Sequence, residues 1–227
     1  MKYFTLILRK ANSRSDNFVT LMKIVLATHN RDKYHEMAEI LQSLSIEVLS
    51  LEDFPEVGEI IEDGQTLAEN ALIKARVVNK ATGLPALADD TGLEVDALHG
   101  APGVYTARYA GENCSYGDNV AKLLSNMAHI PKNQRTARFR TAVAFVSDEE
   151  ELVREGVVEG EISKIAKGVG DFGYDPVFYV SEKNRTFAEM NMNEKNQISH
   201  RGRAIRKMTE LLQSRTPNFF QPLEDDA

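Results

Sequence analysis

Apolar residues recur along this chain with two different periods, and the switches between them mark its elements. Met22-Lys23-Ile24-Val25-Leu26-Ala27-Thr28 is an aliphatic run of strand length and predicts a first β-strand. Over 32–44, Tyr34, Met37, Ala38, Leu41 and Leu44 return every three or four positions, the spacing of one helix face. A short strand is expected over 46–51. Thr66-Leu67-Ala68-Glu69 matches a helix start in which hydroxyl and carboxylate each cap a backbone N–H, and Leu67, Ala71, Ala75 and Val78 continue at helical spacing. Apolar residues 84–88 predict a strand that runs into Asp89 and Asp90 and is broken by Thr91-Gly92. Past a Gly/Pro-rich turn at 99–103, a helix is expected over 118–127. Residues 138–146 and 152–162 read as an antiparallel hairpin with an acidic loop at 148–151. A strand over 177–180 and an amphipathic helix over 199–212 complete the pattern. Interleaved periods of this kind predict an α/β protein, a mixed sheet with flanking helices.

Composition narrows the class. Of 227 residues 42% are hydrophobic, enough for one sizeable core or two lobes sharing a sheet. A net charge of −7 supplies no basic field, so neither nucleic acid nor an anionic membrane is an expected partner. No apolar run approaches the roughly 18 residues of a membrane-spanning helix. Cys114 is the single cysteine, which rules out an intramolecular disulfide and suits a reducing cytoplasm. The expected organisation is an extension over 1–21, one domain over 22–214 and a loose tail over 215–227. Residues 3–8 are too short an apolar run for a signal peptide, and Asp16 argues against a transit peptide.

Four segments carry chemistry. At Asp89-Asp90, a buried strand ending in adjacent acids is costly to fold unless metal, hydrogen bonds or water compensate the charge. Mg²⁺ held by a few carboxylates and substrate phosphates is one reason for such a pair, and a turn cap is the plain alternative. Thr28-His29-Asn30-Arg31-Asp32-Lys33 lies where the first strand hands over to the first helix, a place for an anion, although Asn30 also suits a simple N-cap. In the third segment Glu62 is a candidate metal ligand and Lys74 a candidate phosphate contact, with Glu69 the capping partner of Thr66. The fourth joins Phe172-Gly173-Tyr174-Asp175, an aromatic face beside a carboxylate, to Lys195, His200 and Arg201 near a helix start. Gly168 to Gly173 matches G-x-G-x-x-G, but a strand containing Pro176 follows where a dinucleotide fold needs a helix.

Together these motifs resemble the inosine/xanthosine triphosphate pyrophosphatases over about 22–212. The matching stretches are T-x-N-x-x-K at 28–33, E-x-G-x-T-x-x-E-N-A-x-x-K-A at 62–75, A-D-D-T-G-L at 88–93, P-G-V-Y-T-A-R-Y at 102–109, F-G-Y-D-P-x-F at 172–178 and I-S-H-R at 198–201. His29, Thr91 and Met190 stand where many members carry glycine, serine and leucine. The resemblance implies an elongated mixed α/β fold with two lobes and a cleft between them, usually a homodimer. It also implies Mg²⁺-dependent hydrolysis of ITP, dITP or XTP to monophosphate and pyrophosphate, which keeps these nucleotides out of DNA and RNA. On this reading Asp90 is the proton acceptor, and Asp90, Glu62 and Asp89 form the metal site. Thr28, Asn30, Lys33, Lys74 and Lys195 hold phosphates and sugar, and His29, Arg31, Asp32 and Thr91 are further substrate-binding positions. Phe172 stacks on the purine, Gly173 lets backbone approach the ligand beside Tyr174, both substrate-binding positions, and Asp175, His200 and Arg201 line the base pocket. Two competing classes are a metal-dependent hydrolase of modified pyrimidine nucleotides and a non-catalytic binding module. A binding module needs no paired acids and shows basic, aromatic surface stripes instead.

Overall fold

The computed structural model describes residues 22–42 and 46–215. The expected extension over 1–21, Leu44 and the tail beyond residue 215 lie outside the described residues. The thirteen principal elements are strands β1 (Met22–Leu26), β2 (Ile46–Leu49), β3 (Ala86–Val95), β4 (Pro102–Gly103), β5 (Thr136–Val146), β6 (Glu151–Ile162), β7 (Phe178–Val180) and β8 (Arg185–Thr186), with helices α1 (Arg31–Leu41), α2 (Leu67–Thr82), α3 (Tyr116–Asn126), α4 (Met192–Ile198) and α5 (His200–Arg215). The strands form one eight-stranded sheet in the order β2-β1-β3-β5-β6-β7-β8, with β4 paired to β3. Pairing is parallel from β2 to β1 and from β1 to β3, and antiparallel elsewhere. The mixed α/β architecture is therefore the one the periodicity predicts. Among the described residues no helix is long and apolar enough to cross a membrane.

Alternation along the central strands explains the layering. Ile24, Leu26, Leu87, Val143 and Phe145 face one side, where they pack with Met37 and Leu41 of α1 and Ala204, Ile205 and Met208 of α5. The intervening Val25, Ala27, Ala86, Ala88, Ala142 and Ala144 face the other side, under Ala71, Ala75 and Val78 of α2. Alanine on both surfaces lets α2 lie close to the sheet. A third cluster, around Phe139, Phe178, Phe187 and Leu123, fills the far end beneath α3.

Two boundaries differ from the sequence reading in ways that matter. Thr91-Gly92 does not end β3. The strand continues to Val95 because β5 pairs with it along its whole length, from Ala86 opposite Val146 to Val95 opposite Ala137. Gly92 instead permits close approach of β4, since a Cβ there would stand 2.9 Å from the Gly103 carbonyl oxygen. The acids therefore sit mid-strand. They are nonetheless open on one flank, because β1 accompanies β3 only at Val25–Ala86 and Leu26–Leu87. The second difference is at the C-terminal end, where α4 precedes α5. Asn191 caps α4 through a reciprocal pair with Glu194, and Ser199 in extended conformation separates the two helices. Local capping also moves α3 forward: Ser115 and Asp118 cap each other, so Asp118 lies in the first turn and is not its start.

Candidate active site

A cleft of about 640 Å³ opens where β1 leaves β3. Its walls are the β1–α1 turn, the segment 58–62, the outer half of β3, residues 104–108, the turn at 172–175 and the start of α5. This position beyond the carboxyl end of a parallel strand is where ligands gather in open α/β sheets.

The turn wall is built by Asn30. Its Oδ1 accepts the Lys33 N–H at 3.1 Å, capping α1, while its Nδ2 donates to the Tyr116 hydroxyl at 2.7 Å. The cap role and the cleft role thus coexist in one side chain. Thr28, His29, Asn30 and Lys33 line the cleft. Arg31 and Asp32 do not: both are exposed, and Arg31 reaches outward to Glu52 at 3.1 Å. The free N–H groups at the start of α1 add a positive field toward the cleft.

Strand alternation separates the adjacent acids of β3. Asp89 shares the face of Leu87 and meets α1 and α5, where its Oδ2 accepts from Arg201 Nε at 3.0 Å and lies 3.3 Å from Lys33 Nζ. Asp90 shares the face of Ala88 and meets α2, accepting from Asn70 Nδ2 at 3.1 Å with Lys74 Nζ 3.7 Å away. Burial alone raises both carboxyls, but Lys33, Arg201 and Lys74 hold Asp89 far below the ordinary range. Asp90 stays raised: its burial, helped by Glu62, outweighs Lys74 and Lys33. One acid is locked as a carboxylate and the other is the stronger base. Lys33 in turn is lowered by burial despite the pull of Asp89.

Among the described residues no group of three or more histidine, cysteine or acidic side chains could hold a metal ion by itself. Of the four carboxylates that line the cleft, Glu59, Glu62, Asp90 and Asp175, two approach the same Lys74 ammonium: Glu62 at 2.7 Å and Asp90 at 3.7 Å. A small all-oxygen donor pair of this kind suits Mg²⁺, which takes one or two carboxylates and completes its shell with water and phosphate. Asp89 is not on the cleft surface, being 1% exposed and engaged by cations.

The opposite end of the cleft is aromatic. Phe172 meets Tyr116 edge-on with ring centroids 5.6 Å apart, and Arg201 Cζ lies 5.7 Å from its centre. His200 stacks on Phe139 at 4.5 Å, buried, with Nδ1 lacking any hydrogen-bond partner. Burial, then Arg201 and Lys195, keeps its imidazole neutral. The Tyr174 hydroxyl donates to the Thr106 carbonyl at 3.0 Å and draws the 104–108 segment onto this end. Behind the wall Lys195 donates to Glu36 at 2.6 Å and pairs with Asp175, while Arg201 pairs with Glu36 as well as Asp89. Burial pushes the Asp175 carboxyl up to about 6 against the pull of Lys195. Thr91 bridges the two ends, accepting from Arg201 at 3.3 Å and touching Thr141 at 2.5 Å.

Comparison with known proteins decides the family. The Ham1 family model matches residues 24–211. The chain belongs to the Ham1 family. Among its relatives are proteins named dITP/XTP pyrophosphatase: that of Desulforamulus reducens is 51% identical over 192 residues, covering 84% of this chain and 96% of the relative. That of Geobacter sulfurreducens is 52% identical over 186 residues, covering 82% and 94%. The fold agrees with a solved HAM1 protein from Coxiella burnetii, at 43% identity and a TM-score of 0.77 over 86% of this chain and all of that one.

Within this Ham1 chain most of the expected site residues line the cleft, but Arg31, Asp32, Asp89 and Lys195 do not, and several lining or supporting residues were not foreseen. Lys195, expected beside the phosphates, stands behind the aromatic end of the cleft, its Nζ 4.7 Å from the Phe172 ring centre. Glu36 is missed, although a carboxylate one position from Met37 on the inward face of α1 is a signal that it needs a buried cation. Tyr116 and Asn70 also escape, because their partners Asn30 and Asp90 are distant in sequence.

Proposed function

We propose that this chain hydrolyses deaminated purine nucleoside triphosphates (ITP, dITP and XTP) to the monophosphate and pyrophosphate, removing them before they enter DNA or RNA. The observation that carries the reading is the separation of Asp89 from Asp90. It leaves one raised carboxyl on a cleft that has a helix N-terminus at one end and an aromatic pocket at the other.

Asp90, oriented by Asn70, is placed to take the proton of the attacking water, a step of this kind typically contributing about 10²–10⁴-fold. Glu62 and Asp90 would hold a magnesium ion, which when bound would neutralise charge on the phosphoryl oxygens. Lys33, Lys74, Thr28 and the backbone N–H groups at the start of α1 hold the triphosphate. Phe172 offers the stacking face, with Gly173 and Tyr174 shaping its turn. Arg201 commits three N–H groups to Asp89, Glu36 and Thr91, which fixes the guanidinium as a rigid donor. A 6-keto oxygen accepts from such a donor, whereas a 6-amino group leaves it unpaired at a cost of about 1–3 kcal/mol. The proposal extends to a homodimer, on the strength of the resemblance, and to the cytoplasm, which the single cysteine suits.

A pyrophosphate-release panel over ATP, GTP, CTP, UTP, ITP and XTP with Mg²⁺ tests the reading. ITP and XTP should exceed the four common nucleotides by about a hundredfold or more in kcat/KM, near 3 kcal/mol. A preferred pyrimidine, or equal rates throughout, would overturn it.

A further inference from the structure

The loop that carries Glu62 is anchored unequally at its two ends. Toward α2 it is tied repeatedly: Gly64 N–H donates to Asn70 at 2.8 Å, Gln65 N–H to Glu69 at 2.6 Å, and Glu62 itself bonds Lys74 at 2.7 Å. Toward its other end the polar tie is single. Among the described residues the one hydrogen bond to 58–61 runs from His29 Nε2 to the Gly58 carbonyl oxygen, at 2.7 Å. Gly58 has φ +60°, a left-handed conformation open to glycine at little cost, and the turn there presents its carbonyl to the imidazole. Gly58, Glu59, Ile60 and Glu62 line the cleft, as does His29 across from them. Gly58, Glu59 and Ile61 are exposed, Ile61 being 77% accessible, whereas Ile60 is half-buried and packs on the cluster beneath α2.

We infer that His29 is a positioning residue, a latch that ties the 58–62 strap to the phosphate-binding turn and so holds Glu62 over the cleft. Its ring is committed to the strap and is not a phosphate ligand. The donor must be Nε2–H, because the partner is a carbonyl; the ring keeps that proton whether neutral or charged. Opening the latch leaves Glu62 tethered through Lys74, the α2 cap and the Ile60 side chain, so the strap swings out more often and the pocket binds its metal–nucleotide complex less well. At saturating substrate the closed strap is restored, and Asp90 itself stays fixed by β3 pairing and Asn70, so kcat changes little. What the closed cleft holds rests on the function proposed above; the latch itself does not.

Two variants and two readouts test it. In His29→Ala, a glutamate-specific protease should cut after Glu59 about fivefold faster than in the native chain, the change expected from one net hydrogen bond. The apparent KM for Mg²⁺–ITP should rise by about the same factor, with kcat within about twofold. His29→Gln, whose side-chain amide can donate to the same carbonyl, should restore both quantities. Unchanged cutting in His29→Ala overturns the latch, and so does a glutamine variant that behaves like alanine. A raised KM with unchanged cutting makes His29 a direct substrate contact. If the native chain fails to turn over ITP, the functional reading falls and the protease comparison still judges the latch.

Discussion

Two faces of one strand, a single residue apart, hold carboxylates with opposite duties. On the α1–α5 face Asp89 is enclosed by Lys33 and Arg201 and is permanently ionised; on the α2 face Asp90 is half-open, less compensated and raised. Chemically the two side chains are the same. What separates them is which helix the pleat turns each one toward. The same division runs through the whole site: behind the α1–α5 face lies a buried network of Glu36, Asp89 and Asp175 with Lys33, Lys195 and Arg201, which makes the wall rigid, and on the α2 face lies the pair that does chemistry.

The comparison is broken most severely at Asp90. Asp90→Asn is nearly isosteric and can still accept from Asn70, so melting temperature should hold within about 4 °C, a change of about 1–2 kcal/mol for a domain of this size. ITP turnover should nevertheless fall by about 10²–10⁴-fold. Retention of more than about a tenth of kcat, an effect under ~1.4 kcal/mol, would remove Asp90 as the base. Asp89→Asn is the converse variant. Leaving Arg201 and Lys33 short of a buried counter-charge should cost about 3–5 kcal/mol of stability, read in chemical denaturation. A stable Asp89→Asn protein with the kinetic defect of Asp90→Asn would erase the distinction between the faces.

The next test is pH. Asp175 is raised to about 6 from an ordinary 3.8, so the folded state binds its proton more tightly than the unfolded chain does. That group's stabilisation is complete below about pH 4 and is lost as pH rises through about 6, a total near 3 kcal/mol for a two-unit shift. Asp175→Asn cannot titrate. Its stability relative to the native chain should therefore improve between pH 4 and pH 7, and a difference that stays constant with pH would refute the assignment. The smallest effect concerns selectivity. Arg201→Lys keeps the charge and loses the planar fork, and should compress the ITP/GTP ratio of kcat/KM by about tenfold, ~1.4 kcal/mol. Lys33→Met should lower every triphosphate in proportion, leaving that ratio within about threefold. Equal proportional losses for both variants would take Arg201 out of base recognition.

Much of this was legible in the chain because the signals are local. Thr66 and Glu69 cap α2 as their spacing requires, and Asn30 caps α1. An aliphatic run at 22–28 and a hairpin pattern at 138–146 and 152–162 placed these strands with small boundary errors. Thr28, Asn30, Lys33, Lys74, Asp90, Phe172, Asp175, His200 and Arg201 do meet on one cleft or directly behind it. Less accessible were the features set by partners far away in sequence. Thr91-Gly92 reads as a strand end, yet β5 supplies hydrogen-bond partners on its flank and the strand goes on. Lys195 reads as a phosphate cation, yet burial beside Glu36 and Asp175 fixes it behind Phe172.

By itself the sequence determined the element types, the α/β class, the capped helix starts and the residue types on which the chemistry depends, since periodicity and capping act within a few residues of one another. Only the tertiary structure decided what those residues do. The side of β3 that faces α2, and the side that faces α1 and α5, follow from sheet order and helix packing. That geometry sets the desolvation and the neighbouring charge of each carboxylate, and so tells the salt-locked Asp89 from the basic Asp90.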